Sequence, residues 1–144
     1  MASYHKFQDF VEQLAKGVHN FASHTFKVAL TNTAPTATDT GWNTTNHPAP
    51  AAANGYTAGG SATTITTNEA SGTMTVQGTQ VVFTASGGQI GPFRYAILYN
   101  DTAASPAKAC VGWWDYGSSI TLNDTETFTV RFNNTTPGTI LTVA

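Results

Sequence analysis

The segment Glu126-Thr127-Phe128-Thr129-Val130-Arg131-Phe132 alternates without a break: Phe128, Val130 and Phe132 fall on one side, Thr127, Thr129 and Arg131 on the other. Side chains of a strand have a period of two, so this stretch has one face for a core and one for water. Phe26, Val28 and Leu30 repeat the pattern against Lys27, Ala29 and Thr31. Further short strands are expected at about 62–67, 72–77, 80–84, 93–99, 108–115, 120–122 and 139–143. Turns at Gly87-Gly88, at 100–107, at Tyr116-Gly117-Ser118-Ser119, at Asn123-Asp124 and at 133–138 separate them. Short strands at this spacing predict a mainly β fold, an antiparallel β-sandwich of immunoglobulin-like or jelly-roll-like type. The 72–77 and 80–84 segments, joined at Gly78-Thr79, read as a hairpin. Phe93–Tyr99 reads as the central strand, covered on both faces for part of its length, with its aromatic residues together on one of them. In 108–115, alternation puts Val111 with Trp113 and Cys110 with Trp114.

One helix is expected, over residues 5–22. Phe7, Phe10, Val11, Leu14, Val18 and Phe21 recur at spacings of three and four, which makes one apolar stripe. Ser3 is the expected N-cap. Asp9 and Glu12 early and Lys16 and His19 late match the helix dipole, which would favour charged His19. Gly17 would weaken the helix interior by about 1 kcal/mol. The stripe must be covered, either by an end of the sandwich or by a partner.

At 144 residues the chain is expected to form one domain, 1–144, large enough to bury roughly two thirds of its extended surface. Only 10% of residues are charged, against about 25% in an average domain. Hydroxyls and amides hydrate the surface, and low charge weakens the usual defence against edge-to-edge strand pairing. That favours a subunit of an assembly. The net charge is −2, and Lys6, Lys16, Lys27, Lys108, Arg94 and Arg131 form no run, so neither nucleic acid nor an anionic membrane is an expected partner. No apolar run reaches the roughly 18 residues of a membrane span, and the N-terminal residues lack the apolar core of a secretory signal.

Catalytic signatures are sparse. Cys110, the single cysteine, lies in apolar Ala109-Cys110-Val111-Gly112-Trp113 and reads as a small buried hydrophobe. His5, His19, His24 and His47 lack metal-protease spacing. The carboxylates Asp101, Asp115, Asp124 and Glu126 fall at turns or strand ends, where most bond their own backbone. The chain is therefore expected to be non-enzymatic, with no cofactor, catalytic residue or metal.

Contact residues are the better candidates. Trp42 sits in the long polar loop 32–54, as a peg or as a contact residue. Trp113 and Trp114 fall on opposite faces, so one belongs to the core and the other either lies under that loop or joins Tyr116 in an exposed aromatic site. Phe7, Phe10 and Leu14 of the helix stripe, Trp42, Trp114 and Tyr116 are thus the candidate partner-binding residues.

Three stretches carry a resemblance. They are Phe7-Gln8-Asp9-Phe10-Val11-Glu12 through Phe26-Lys27-Val28-Ala29-Leu30-Thr31-Asn32-Thr33; Asn54-Gly55-Tyr56-Thr57-Ala58-Gly59-Gly60; and Gly91-Pro92-Phe93-Arg94-Tyr95-Ala96-Ile97-Leu98-Tyr99-Asn100-Asp101 with Gly112-Trp113-Trp114-Asp115-Tyr116-Gly117. Together they resemble small virion structural proteins of tailed bacteriophages, the capsid decoration or cement proteins. The resemblance implies a product of the host cytoplasm that ends in the virion, binds the major capsid protein or another virion protein as a homo-oligomer, and carries no cofactor. A tail, neck or fibre-base component and a carbohydrate-binding module are the alternative readings.

Overall fold

The computed structural model describes residues 2–144. It is mainly β, with one short helix. In chain order the elements are β1 (Ser3–Lys6), α1 (Asp9–Ala15), β2 (Phe26–Thr31), β3 (Ser61–Thr63), β4 (Ile65–Ala70), β5 (Thr73–Gly78), β6 (Val81–Thr84), β7 (Ile90–Asn100), β8 (Cys110–Leu122), β9 (Thr127–Val130) and β10 (Gly138–Val143). They form three antiparallel sheets, ordered β1-β8-β7-β2-β3, β10-β5-β4 and β6-β9.

One face of the five-stranded sheet, with Phe26, Val28, Leu30, Ala96 and Leu98, packs against Val81, Phe83, Val130, Phe132 and Ile140 of the smaller sheets and the segments beside them. The arrangement is sandwich-like. Each of the Val, Leu, Ile and Phe side chains, removed from water, contributes roughly 1.5–3 kcal/mol. The opposite face is covered as well: Ala29, Ile97, Tyr99, Cys110 and Trp113 form a second cluster with Phe7 and Trp42. As expected, β7 is central, and it is buried on both faces over residues 96–100.

The helix is much shorter than its apolar stripe suggests. Its seven residues, Asp9–Ala15, follow Gln8 and not Ser3. Gly17 ends it instead of weakening its interior. Gly17 has φ +76°, its N–H donates to the Leu14 carbonyl, and the Val18 N–H donates to the Gln13 carbonyl. Those paired bonds around a left-handed residue close the helix C-terminus. Phe10 is buried and Leu14 half-buried against the main core, so the short helix plugs one end of it, while Val11 is exposed. His19 lies beyond the helix, so no dipole favours its charge. It packs buried against Phe10, with ring centroids 5.1 Å apart, and burial pushes its imidazole down to about 4.

Ser3 lies in β1, which adds to the edge of β8 in the register Ser3↔Asp115 to Lys6↔Gly112. The strand is exposed and mostly polar, Ser-Tyr-His-Lys, which conceals it from hydrophobic periodicity.

The expected hairpin across Gly78-Thr79 does not form. β5 pairs with β4 and β10, and β6 pairs with β9. The hairpin of this region is β4–β5, turning at Ser71 and Gly72 with φ of 50° and 81°, the two positive values that a tight two-residue turn requires. β8 likewise runs on through residues 116–119, where a turn was expected. It meets β7 at Tyr95↔Asp115 and again at Phe93↔Ile120, so four residues bulge opposite Arg94. The register shifts again at Leu98/Tyr99. Each bulge reverses the in/out alternation. Cys110 therefore shares a face with Trp113 instead of Trp114, and Phe93 leaves the face of Tyr95, Ile97 and Tyr99 to join the main core.

Segment 32–54 contains no helix or named strand, as expected, but it is tied down along its length. Trp42 N–H donates to Lys108 O, Cys110 N–H to Thr40 O, and Gln8 N–H to Ala37 O. Gly41 bridges Ala109. His47, fully buried, lies 3.0 Å from Asp39 Oδ2 through Nε2.

Candidate functional site

Four of the six candidate contact residues serve the interior. Phe7 is fully buried, Phe10 nearly so, and Leu14 packs on the same core as Phe10. Trp42 is a peg: it is buried, stacks on Tyr99, and has the Lys108 ammonium 4.9 Å from its ring. Trp113 is the tryptophan under the long loop, sharing the second cluster with Trp42.

Trp114 and Tyr116 remain at the surface, and the structure brings them together. Both line a cleft of about 390 Å³ where β7 and β8 face β9. Trp114 is half-buried between Tyr4 and Phe132, with centroids at 5.2 and 5.3 Å. Tyr116 is 52% exposed and meets Phe128 edge-on at 5.7 Å, and Phe128 meets Phe93 edge-on at 5.0 Å. Such edge-to-face contacts hold rings in fixed orientations.

The polar groups of the cleft come from positions the alternation assigns simply to solvent. Arg94 Nε and Nη2 donate to Asp115 Oδ1 and Oδ2 at 2.7 and 2.9 Å. Asp115 Oδ1 also accepts the Gly117 N–H at 2.8 Å. Arg94 thereby holds the Asp115 carboxyl below its ordinary range, and the fork fixes the guanidinium in place. Arg131, on the other wall, is exposed and has no ion-pair partner among the described residues. Asn133 and Asn134, both at positive φ, close the cleft beyond it. The cleft is thus an aromatic trough with one fixed and one free guanidinium, a composition suited to binding.

Sequence reasoning missed Arg94, Arg131 and Phe128 as neighbours of Trp114. A basic residue on the wet face of a strand carries no signal of what faces it, and the bulge opposite Arg94 is what aims this part of β8 at β9.

Other polar clusters read as structural. Asn100, fully buried, donates from Nδ2 to Val18 O at 3.2 Å and lies 2.9 Å from His24 Nδ1, tying the segment after α1 to β7. Tyr99 Oη donates to Gly59 O at 2.7 Å, and Tyr56 Oη accepts the Leu30 N–H at 3.0 Å. Those bonds explain Tyr56 and Gly59 within the 54–60 stretch. Gly60 is required by space, since a Cβ there would lie 1.8 Å from Val28 O. Burial pushes the Cys110 thiol up, keeping it protonated and unreactive. Among the described residues, no group of three His, Cys, Asp or Glu is placed to hold a metal ion, and no helix is long and apolar enough to cross a membrane.

Compared with protein-family models, with curated proteins and with solved structures, the chain matches none.

Proposed function

We propose that this protein is a non-enzymatic structural subunit of a bacteriophage virion, a capsid decoration or cement protein that binds the major capsid lattice and stabilises it. With that reading goes the finer description of the fold as an antiparallel β-sandwich of immunoglobulin-like or jelly-roll-like type. The observation that carries it is the aromatic, guanidinium-bearing cleft between β7–β8 and β9, built from rigid strands. It offers Trp, Tyr and Arg together, the side chains that most often anchor protein contacts. His47–Asp39 and Asn100–His24 are ties that hold loops down. The resemblance of three stretches of the chain to virion structural proteins supplies the setting. Many copies, each burying modest area, cohere on a lattice through avidity.

Heads prepared without the protein provide the test. Purified protein titrated onto them should bind saturably, at a fixed number of copies per major capsid subunit, and raise the temperature at which the heads release DNA. Failure to bind heads while co-purifying with tails would favour the tail, neck or fibre-base alternative.

A further inference from the structure

The cleft has a directional feature beyond its side chains. Among the described residues, β9 pairs only with β6. Ala85 N–H donates to Glu126 O, and bonded pairs then alternate along the ladder in the register Phe83↔Phe128 and Val81↔Val130. The backbone groups of Phe128 and Val130 therefore face β6, and those of Thr127 and Thr129 face away from it. Phe128, Thr129, Val130 and Arg131 all line the cleft. Four consecutive residues belong to both faces of a strand, so the cleft runs along the open edge of β9, not across one face.

We propose that this cleft receives an extended segment of a partner virion protein, which adds to β9 as an antiparallel or parallel strand. The inference rests on the proposed structural role and names how the contact is made. Free backbone groups in strand register select an extended polypeptide. The trough between Trp114, Tyr116 and Phe128 takes an apolar side chain of that segment. Arg131, with no ion-pair partner among the described residues, and the free hydrogens of Arg94 take a carboxylate. The partner segment therefore carries a large apolar residue with Asp or Glu near it in an extended stretch. A second copy of this chain fits less well: of its edge strands, β4 carries Glu69 but no large exposed apolar residue, while β1 with Tyr4, β6 with Val82 and β10 with Val143 carry no acidic residue.

The test uses immobilised synthetic decapeptides tiling the proteins of the purified particle, probed with the intact protein. Peptides combining an apolar residue with an acidic one should bind. In a bound peptide, N-methylation of backbone amides should abolish binding at every second position across the pairing region and be tolerated between, the signature of strand addition. Arg131→Glu should weaken binding by about tenfold or more, and exchanging the peptide's acid for Lys should restore part of it. Thr129→Pro removes one outward N–H from an edge, where proline is tolerated, and should abolish binding while urea denaturation stays cooperative. Binding insensitive to the position of methylation, or no peptide binding by a protein that does occupy particles, would overturn strand addition and leave the structural role standing. Binding of acidic oligosaccharides such as polyuronates in place of peptides would overturn it, as would a cleft occupied by a second copy in sedimentation.

Discussion

The indole of Trp42 lies nearly parallel to the ring of Tyr99, 11° between planes and 5.0 Å between centroids. One ring belongs to the long loop and the other to the central strand, so this contact joins the least regular segment of the chain to its most buried one. Trp42→Ala should cost about 3–5 kcal/mol, the usual range for removing a buried aromatic, measured by urea denaturation. Tyr99→Phe keeps the stack and loses only the bond to Gly59 O, so about 1 kcal/mol is expected.

Gly17 and Gly60 both have positive φ but answer to different constraints. Nothing lies within 4 Å of a Cβ built on Gly17, so Gly17→Ala pays only for the left-handed backbone, about 1 kcal/mol. At Gly60 the added carbon would collide with Val28 O. Gly60→Ala should therefore lower stability several times more, or prevent folding, in the same denaturation series.

His19 makes stability depend on pH. Its folded value is about 4, against about 6.5 in an unfolded chain. Above pH 6.5 both states are neutral. As pH falls toward 4 the unfolded chain takes up the proton and the folded one does not, so stability drops, by about 3 kcal/mol when the shift is fully expressed. Asp9 and His24 face the same group; neither reverses the sign. Denaturation midpoints between pH 7.5 and 4.5 should fall for the native chain. They should fall less for His19→Phe, whose ring joins Phe10, Phe21 and Phe26 around that position.

β1 shields an edge. His5 stacks on Trp113 at 5.0 Å and Tyr4 leans on Trp114 at 5.2 Å. Removing residues 2–6 would bare the edge of β8 and both indoles. Acrylamide quenching of tryptophan fluorescence should rise, and light scattering should report self-association, the expected fate of an unprotected strand edge.

Much of this architecture is legible in the residues. Phe26–Thr31 and Thr127–Val130 fall where alternation puts them, and β7 is central because apolar residues occupy both of its faces. What alternation cannot register is an extra residue. The bulges at Leu98/Tyr99 and opposite Arg94 reverse every assignment beyond them, which is why Trp113 and Trp114 exchange companions. The helix stripe misleads for a related reason: Phe7 and Phe21 are apolar because they pack, not because they are helical, and Gly17 decides the length. Of the site, Trp114 and Tyr116 are visible as an aromatic pair. Arg94, Arg131 and the open edge of β9 emerge only from sheet pairing, which no local pattern contains.

On the proposed virion role, a symmetry-averaged density map of the particle tests the central claim most directly. A β-rich body of this shape is expected at repeated positions on the outer capsid, its β7–β9 cleft turned toward a neighbouring virion protein. Particles that lack the protein altogether would contradict it.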